Sequence, residues 1–147
     1  MQNTLTRASV NCRHMLEYQK NLQHDLKEPM TDELTYDSVK SVFESSAKEI
    51  TDDLLFQGEA ELPAGLEGST GFQTTFQSNA RRAADGRSLK DFSLKGHLFE
   101  NRCSYLIYSD CFLQLPVQLK RRVYDRLARA LMPAILAALP HQDTPTR

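Results

Sequence analysis

The chain has 147 residues, 40% of them hydrophobic and 25% charged, with a net charge of −1. That is enough chain and enough apolar side chain for one domain with a real core, so it excludes a disordered chain, and the near-zero charge supplies no global field for nucleic acid or an anionic membrane. The charge is unevenly placed: residues 25–67 hold 12 acidic residues against 3 lysines, and residues 81–129 hold 11 basic residues against 5 acidic ones. Opposite halves of this kind favour docking within the chain.

The N-terminal stretch is polar and lacks the apolar segment of a secretory signal, and no run is long enough to span a bilayer. The expectation is a cytoplasmic protein if the chain is complete, or a periplasmic or cell-envelope domain if a signal lies upstream. Cys12, Cys103 and Cys111 are an odd count without a CxxC pair, so neither a disulfide framework nor a zinc pattern is present. Buried free thiols are expected for at least two of the three.

A first helix is expected from a cap at Thr4 or Thr6, with an apolar stripe at Leu5, Ala8, Cys12, Met15, Leu16, Leu22 and Leu26. Glu28-Pro29 ends it, because the residue before proline is pushed out of helical geometry. A second helix is expected to start near Thr31 or Thr35 and to run through Val39, Val42, Phe43, Ala47, Ile50, Leu54 and Leu55, with Gly58 just past its end. The short connection makes the two an antiparallel hairpin.

Residues 58–70 are glycine-rich and read as a surface loop. Ser69–Ala80 reads as a short helix with Phe72 and Phe76 stacked at i and i+4. Residues 81–86 read as a turn; the apolar alternation a β-hairpin would need around Asp85-Gly86 is missing. Ser88 with Asp91 reads as a weak capping box. Leu94–Tyr108 is expected to be a buried central helix, preferred over a strand at Cys103–Tyr108 that has no partner strand. Ser109-Asp110 caps a short turn, and Pro116 starts a last helix with Leu119, Val123, Leu127, Leu131 and Ile135 at successive fours. Pro133 should kink or split that helix, and residues 141–147 read as a frayed tail. The fold class expected is therefore all-α: about five helices in a single domain over residues 1–140.

No residue set lines up as a nucleophile with its base or as a complete metal site, and no cofactor is expected. His14 beside Cys12 is two ligands from one turn, His24 lies on a polar side, and His97 with Glu100 reads as a surface pair. Arg122, Arg126 and Arg129 form a basic stripe on the last helix that suits phosphates, although the acidic segment offers an internal partner. Arg87, Ser88, Tyr105, Tyr108 and Ser109 cluster polar tips beside a loop and form the candidate interaction face, with an unidentified protein as partner. A cofactor-binding or redox accessory role in the cell envelope is the alternative, and nucleic-acid binding through the basic stripe is the weaker third.

The string Gly86-Arg87-Ser88-Leu89, Leu98-Phe99, Ser104-Tyr105-Leu106-Ile107-Tyr108-Ser109, Phe112, Leu115-Pro116 and Val123-Tyr124-Asp125-Arg126-Leu127 resembles the C-terminal region of an uncharacterised family of bacterial proteins. Asn3–Arg7 and Leu54–Ala60 are also similar to that family, so the resemblance covers most of the chain. It implies a C-terminal domain, or a shortened relative, of longer exported proteins, and it implies no reaction. Two departures stand out: the family usually has a proline near Arg102, and Cys111 occupies a place that is usually small or acidic.

Overall fold

A computed structural model describes residues 1–138 of the chain, with side chains described to Pro133. Among these residues are five α-helices: α1 Gln2–Asp25, α2 Asp37–Leu54, α3 Thr70–Gln77, α4 Asp110–Leu113 and α5 Val117–Ala138. A 3-10 helix spans Tyr105–Tyr108, and two short antiparallel strands, β1 Phe92–Lys95 and β2 His97–Phe99, form one hairpin. The class is all-α. Residues 141–147 lie outside the described part.

The principal core sits where α2 packs between α1 and α5. Leu5, Ala8 and Cys12 from α1 meet Val39, Phe43, Ala47, Ile50 and Leu54 from α2, and Leu119, Val123 and Leu127 from α5. These are helical steps of three and four, so each helix presents one apolar stripe. Phe112 and Leu115 close the layer from α4 and the turn behind it. Thr4 does not cap α1. It lies one turn inside the helix and donates to Asp53 Oδ2 at 2.8 Å, beside the Met1 ammonium at 3.6 Å. Arg7 pairs with Glu49, so the start of α1 lies against the end of α2 and the pair is an antiparallel hairpin.

The stripe on α1 departs from the expected one. Past Cys12 it continues through Gln19 and Gln23, both 1% exposed, while Leu26 is 56% exposed. Gln19 donates to the carbonyls of Thr31 and Glu33 and accepts from Thr35 N at 2.8 Å. Gln23 reaches Thr31 N and Thr35 Oγ1 at 3.5 Å each. These amides satisfy connector backbone that would otherwise be buried without partners. For that reason neither Thr31 nor Thr35 starts α2, which begins after Tyr36 instead.

Helices α1 and α2 each end with a left-handed residue that is not glycine. Lys27 and Phe56 each have φ of 56°. At the end of α2, Gln57 N reaches Asp52 O at 2.9 Å and Phe56 N reaches Asp53 O at 3.3 Å, the double closure of a Schellman end. Phe56, not Gly58, therefore turns the chain. Its ring recovers part of the backbone cost by stacking on Phe99 at 5.7 Å.

The expected central helix at 94–108 is a correction. Gly96 (φ 75°) and Leu94 (φ 58°) are both left-handed, which a helix cannot carry through, and they bend the chain into β1 and β2 around a bulge. Phe92 pairs with Phe99 across the hairpin with ring centroids 5.4 Å apart. Leu62 brackets the bend by exchanging two 3.0 Å hydrogen bonds with Gly96. Gly65 (φ 76°) lies close beside it, where an added Cβ would stand 2.9 Å from Leu94 O. The Ser-Tyr-Leu-Ile-Tyr run is neither strand nor α-helix. Ser104 Oγ accepts from Leu106 N and starts the 3-10 turn there.

A second, aromatic core is built on this hairpin. Phe76 of α3 lies 5.2 Å from Phe92, 5.3 Å from Tyr105, 5.9 Å from Phe72 and 6.1 Å from Phe99. Ser104 N donates to Leu54 O at 2.8 Å and joins this layer to the end of α2. Ser109 caps α4 by accepting from Phe112 N, as its position suggests. Pro116 sits just ahead of α5 and accepts from Leu119 N and Lys120 N at 3.0 Å each. α5 runs through Pro133 as one helix to Ala138 rather than splitting. Ile135's side chain lies outside the described part.

Glu59 ties the loop after α2 to the hairpin. Its carboxylate accepts from Arg102 at 2.6 Å and from Leu98 N at 3.3 Å, and His97 lies 3.5 Å away. His97 therefore faces Glu59, not Glu100. The Arg102 hydrogen bond, followed by the Leu98 N–H and the charges of Arg102 and His97, holds Glu59 below its usual range despite partial desolvation. A carboxyl depressed in the folded state stabilises it fully above the ordinary value of 4.5, and that stabilisation is lost as pH falls through the depressed value. The stability gap between the wild type and Glu59→Gln is expected to shrink as pH falls from about 5.5 to about 3. Urea titrations across that range check this; a gap unchanged at pH 3 would contradict it.

Candidate functional site

The segment between α3 and β1 folds back on itself. Ala83 N donates to Arg87 O at 2.8 Å and Gly86 N to Ala83 O at 2.9 Å, with Gly86 at φ 84°. A single antiparallel bridge, Arg82 to Ser88, closes the loop, so the turn does join two paired residues although no strands flank it. Asp85 accepts from Arg87 N at 3.0 Å and from Arg87 Nε at 2.7 Å. These bonds, the backbone one foremost, hold the Asp85 carboxyl below its usual range.

Ser88 anchors the loop from below. It is 5% exposed; its N–H donates to Asp91 Oδ2 at 2.6 Å, and its Oγ accepts from Lys90 N at 3.1 Å. Its carbonyl takes the Asn101 amide at 2.7 Å. The Ser88–Asp91 box therefore closes a turn without opening a helix. Arg82 completes the wall, 3.6 Å from Asp91 and donating to Gly86 O at 2.9 Å.

The opposite wall is the 3-10 turn. Two adjoining cavities lie between the walls and share Arg81, Ser88, Leu89 and Tyr108. One, of about 300 Å³, is lined also by Arg82, Asp85, Arg87 and Asn101. The other, of about 320 Å³, is lined also by Asn79, Lys90, Tyr105, Leu106 and Ser109. The Arg81 guanidinium lies 4.9 Å from the Tyr108 ring centroid and so stands over the mouth between them. Lys90 Nζ lies 4.7 Å from the Phe76 ring and 5.2 Å from that of Tyr105, and it donates to Phe76 O and Asn79 Oδ1. One cavity is thus an arginine-rich bowl and the other an aromatic and aliphatic slot.

The five residues of the candidate face, Arg87, Ser88, Tyr105, Tyr108 and Ser109, all line this cleft. Their roles differ. Ser88 and Ser109 spend their hydroxyls on the fold, Ser109 by donating to Leu106 O at 2.6 Å and capping α4. Arg87 is committed to Asp85 at 2.7 Å. Tyr108, 45% exposed, presents its ring to solvent, whereas Tyr105 is half-buried in the aromatic core. Arg81 and Lys90 were missed by the sequence reading. The Arg81-Arg82 doublet in a loop full of turn formers was the available signal.

The basic stripe is largely occupied. Arg122 Nε is 2.9 Å and Arg126 Nη2 3.2 Å from the two oxygens of Glu44, so the acidic and basic halves meet across α2 and α5. Arg122 also lies over the Phe43 ring at 6.0 Å. Arg129 is exposed and has no acidic partner among the described residues. His14 is exposed while Cys12 is fully buried, so the two share no site, and the exposed His24 ring lies 3.4 Å from its neighbour Asp25. The thiols also differ from expectation. Cys12 alone is fully buried, with its thiol pushed up by burial; Cys103 is half-buried and also raised by burial, and Cys111 is exposed.

Among the described residues no three His, Cys, Asp or Glu side chains gather as a metal-binding group, and no helix is long and apolar enough to cross a membrane. Comparison with protein-family models, with curated proteins and with solved structures finds no match.

Proposed function

We propose that this chain is a non-catalytic helical interaction domain of a larger bacterial protein or assembly, which holds a protein partner at the cleft between residues 79–91 and the 3-10 turn. The observation that carries the reading is the cleft itself. Its walls are fixed by hydrogen bonds between side chain and backbone, Ser88 N to the Asp91 carboxylate and the Ser109 hydroxyl to Leu106 O, while the groups left facing out are Arg81 and the exposed ring of Tyr108. Rigid walls with exposed aromatic and arginine side chains favour partner binding, because little conformational entropy is lost on association. The bacterial context rests on the resemblance noted from the sequence.

Two rival readings draw less support. Arg122 and Arg126 already share Glu44, which weakens nucleic-acid binding through α5. A redox or cofactor role needs a histidine to converge with a thiol or carboxylate. His97 does meet Glu59, but as an exposed side chain in an ion cluster with Arg102.

The reading is tested by placing a photo-crosslinking benzoylphenylalanine at Tyr108, and separately at Tyr18 on α1, which is equally exposed at 48%. In the native host a discrete protein adduct is expected from position 108 and not from position 18. Equal labelling from both positions, or none from 108, would overturn the assignment.

A further inference from the structure

We propose that the cleft recognises a short acidic peptide segment, taking a carboxylate in the arginine bowl and the apolar side chain two residues away in the Tyr-Leu slot; this rests on the cleft being the partner-binding face. The argument begins with charge. Arg81, Arg82, Arg87 and Lys90 line the two cavities, while the carboxylates at hand are Asp85, which holds Arg87, and Asp91, which holds Arg82. Four cations against two carboxylates leave a local surplus of two on a chain whose net charge is −1.

The surplus is assigned to particular groups. Arg81 packs on the Tyr108 ring, and Lys90 is held by a carbonyl, an amide oxygen and two rings, so neither has a carboxylate partner among the described residues. A ring contact orients a guanidinium without spending its hydrogen-bond donors, which leaves a fork suited to a carboxylate. The second half of the argument is shape. Leu89 and Tyr108 line both cavities, so an apolar group entering the slot lies directly beside an anion in the bowl. A volume of about 320 Å³ accepts a leucine-sized side chain with room to spare. An extended peptide turns residues two apart to the same face, about 7 Å apart along the chain, so an apolar residue with an acidic one two positions to either side fits in either chain direction.

The test uses the whole isotope-labelled chain and amide chemical shifts at about 0.1 M salt. The probes are acetyl-Ala-Glu-Ala-Leu-Ala-Glu-Ala-amide, its counterpart with both Glu changed to Gln, its counterpart with Leu changed to Ser, and inorganic phosphate. The first peptide is expected to move amides of residues 79–91 and 105–109 and to bind at least about fivefold more tightly than either altered peptide. Arg81→Gln should cost about fivefold in affinity and Arg81→Lys clearly less, because lysine keeps the charge but loses the ring-stacked fork; since Arg81 sits on an exposed loop, both variants should fold. Equal binding of the Gln peptide in the cleft would sink the charge selection but leave the partner-binding reading standing. Shifts confined to other surfaces, together with no adduct from position 108, would sink both. Phosphate matching the peptide would show a general anion site and overturn the peptide assignment.

Discussion

Replacing Phe43 by alanine is expected to lower the free energy of unfolding by about 4 kcal/mol, the range for deleting a fully buried aromatic ring without collapse of the site. Phe43 is inaccessible to solvent, sits midway along α2, and belongs to the core cluster that α1 and α5 also enter. Core residues of α1 and α5 pack against α2 from its two sides, so the layers close over the void only in part. A cavity held open costs both the lost transfer energy and the lost contacts of its lining. Urea unfolding followed by helical circular dichroism should show the midpoint falling with little change in slope. A loss below about 1 kcal/mol would mean that α2 is not the centre of the fold.

Why the helical layer is legible in the sequence while the cleft is only half so follows from the range of the interactions. Val39, Phe43, Ala47, Ile50 and Leu54, like Leu119, Val123 and Leu127, state their burial through local spacing alone. Gln19 and Gln23 occupy the same kind of position, but their burial depends on carbonyls and amides 8 to 16 residues away. A search for apolar letters drifts instead to Leu22 and Leu26. Gly96 was the legible sign that 94–108 is no helix, since glycine is among the weakest residues in a helix interior. What hid the hairpin was its brevity: Phe92–Phe99 alternates too briefly to announce two strands, and its rings find partners on α3 and the 3-10 turn.

The cleft divides in the same way. Tyr105, Tyr108 and Ser109 are neighbours in sequence, and Arg87-Ser88 follows a glycine turn, so both walls can be suspected separately. Their meeting, and the roles of Arg81 and Lys90, depend on the aromatic core that brings residues 76–92 against residue 105. The same dependence explains why Ser88 and Ser109 look like binding groups from sequence and turn out to brace the walls.

Phe76→Ala is therefore expected to dismantle the cleft while sparing the helical layer. Phe76 contacts four other rings and lies under the Lys90 ammonium, so its removal takes away the hub of the aromatic core, at a local cost of about 3 kcal/mol. The principal core cluster contains none of these rings; the layers are joined at one edge by the Phe56–Phe99 stack, the Ser104–Leu54 hydrogen bond, the Glu59 bonds to Leu98 N and Arg102, and Ile107 packed on the helical core. A layer with its own core, joined along one edge, opens at a lower free energy than the whole. Amides of Asp91, Gly96 and Glu100, which are hydrogen-bonded within this layer, should exchange at least about a hundredfold faster in the variant, as about 3 kcal/mol of local destabilisation requires. Amides in the middle of α2 and the helical unfolding midpoint should change little, in contrast to Phe43→Ala. Near-ultraviolet circular dichroism should lose intensity as Tyr105 comes free of its edge-on contact with Phe76 at 5.3 Å. If instead the helical midpoint drops as far as it does for Phe43→Ala, the two layers form one cooperative unit and the cleft shares the stability of the bundle.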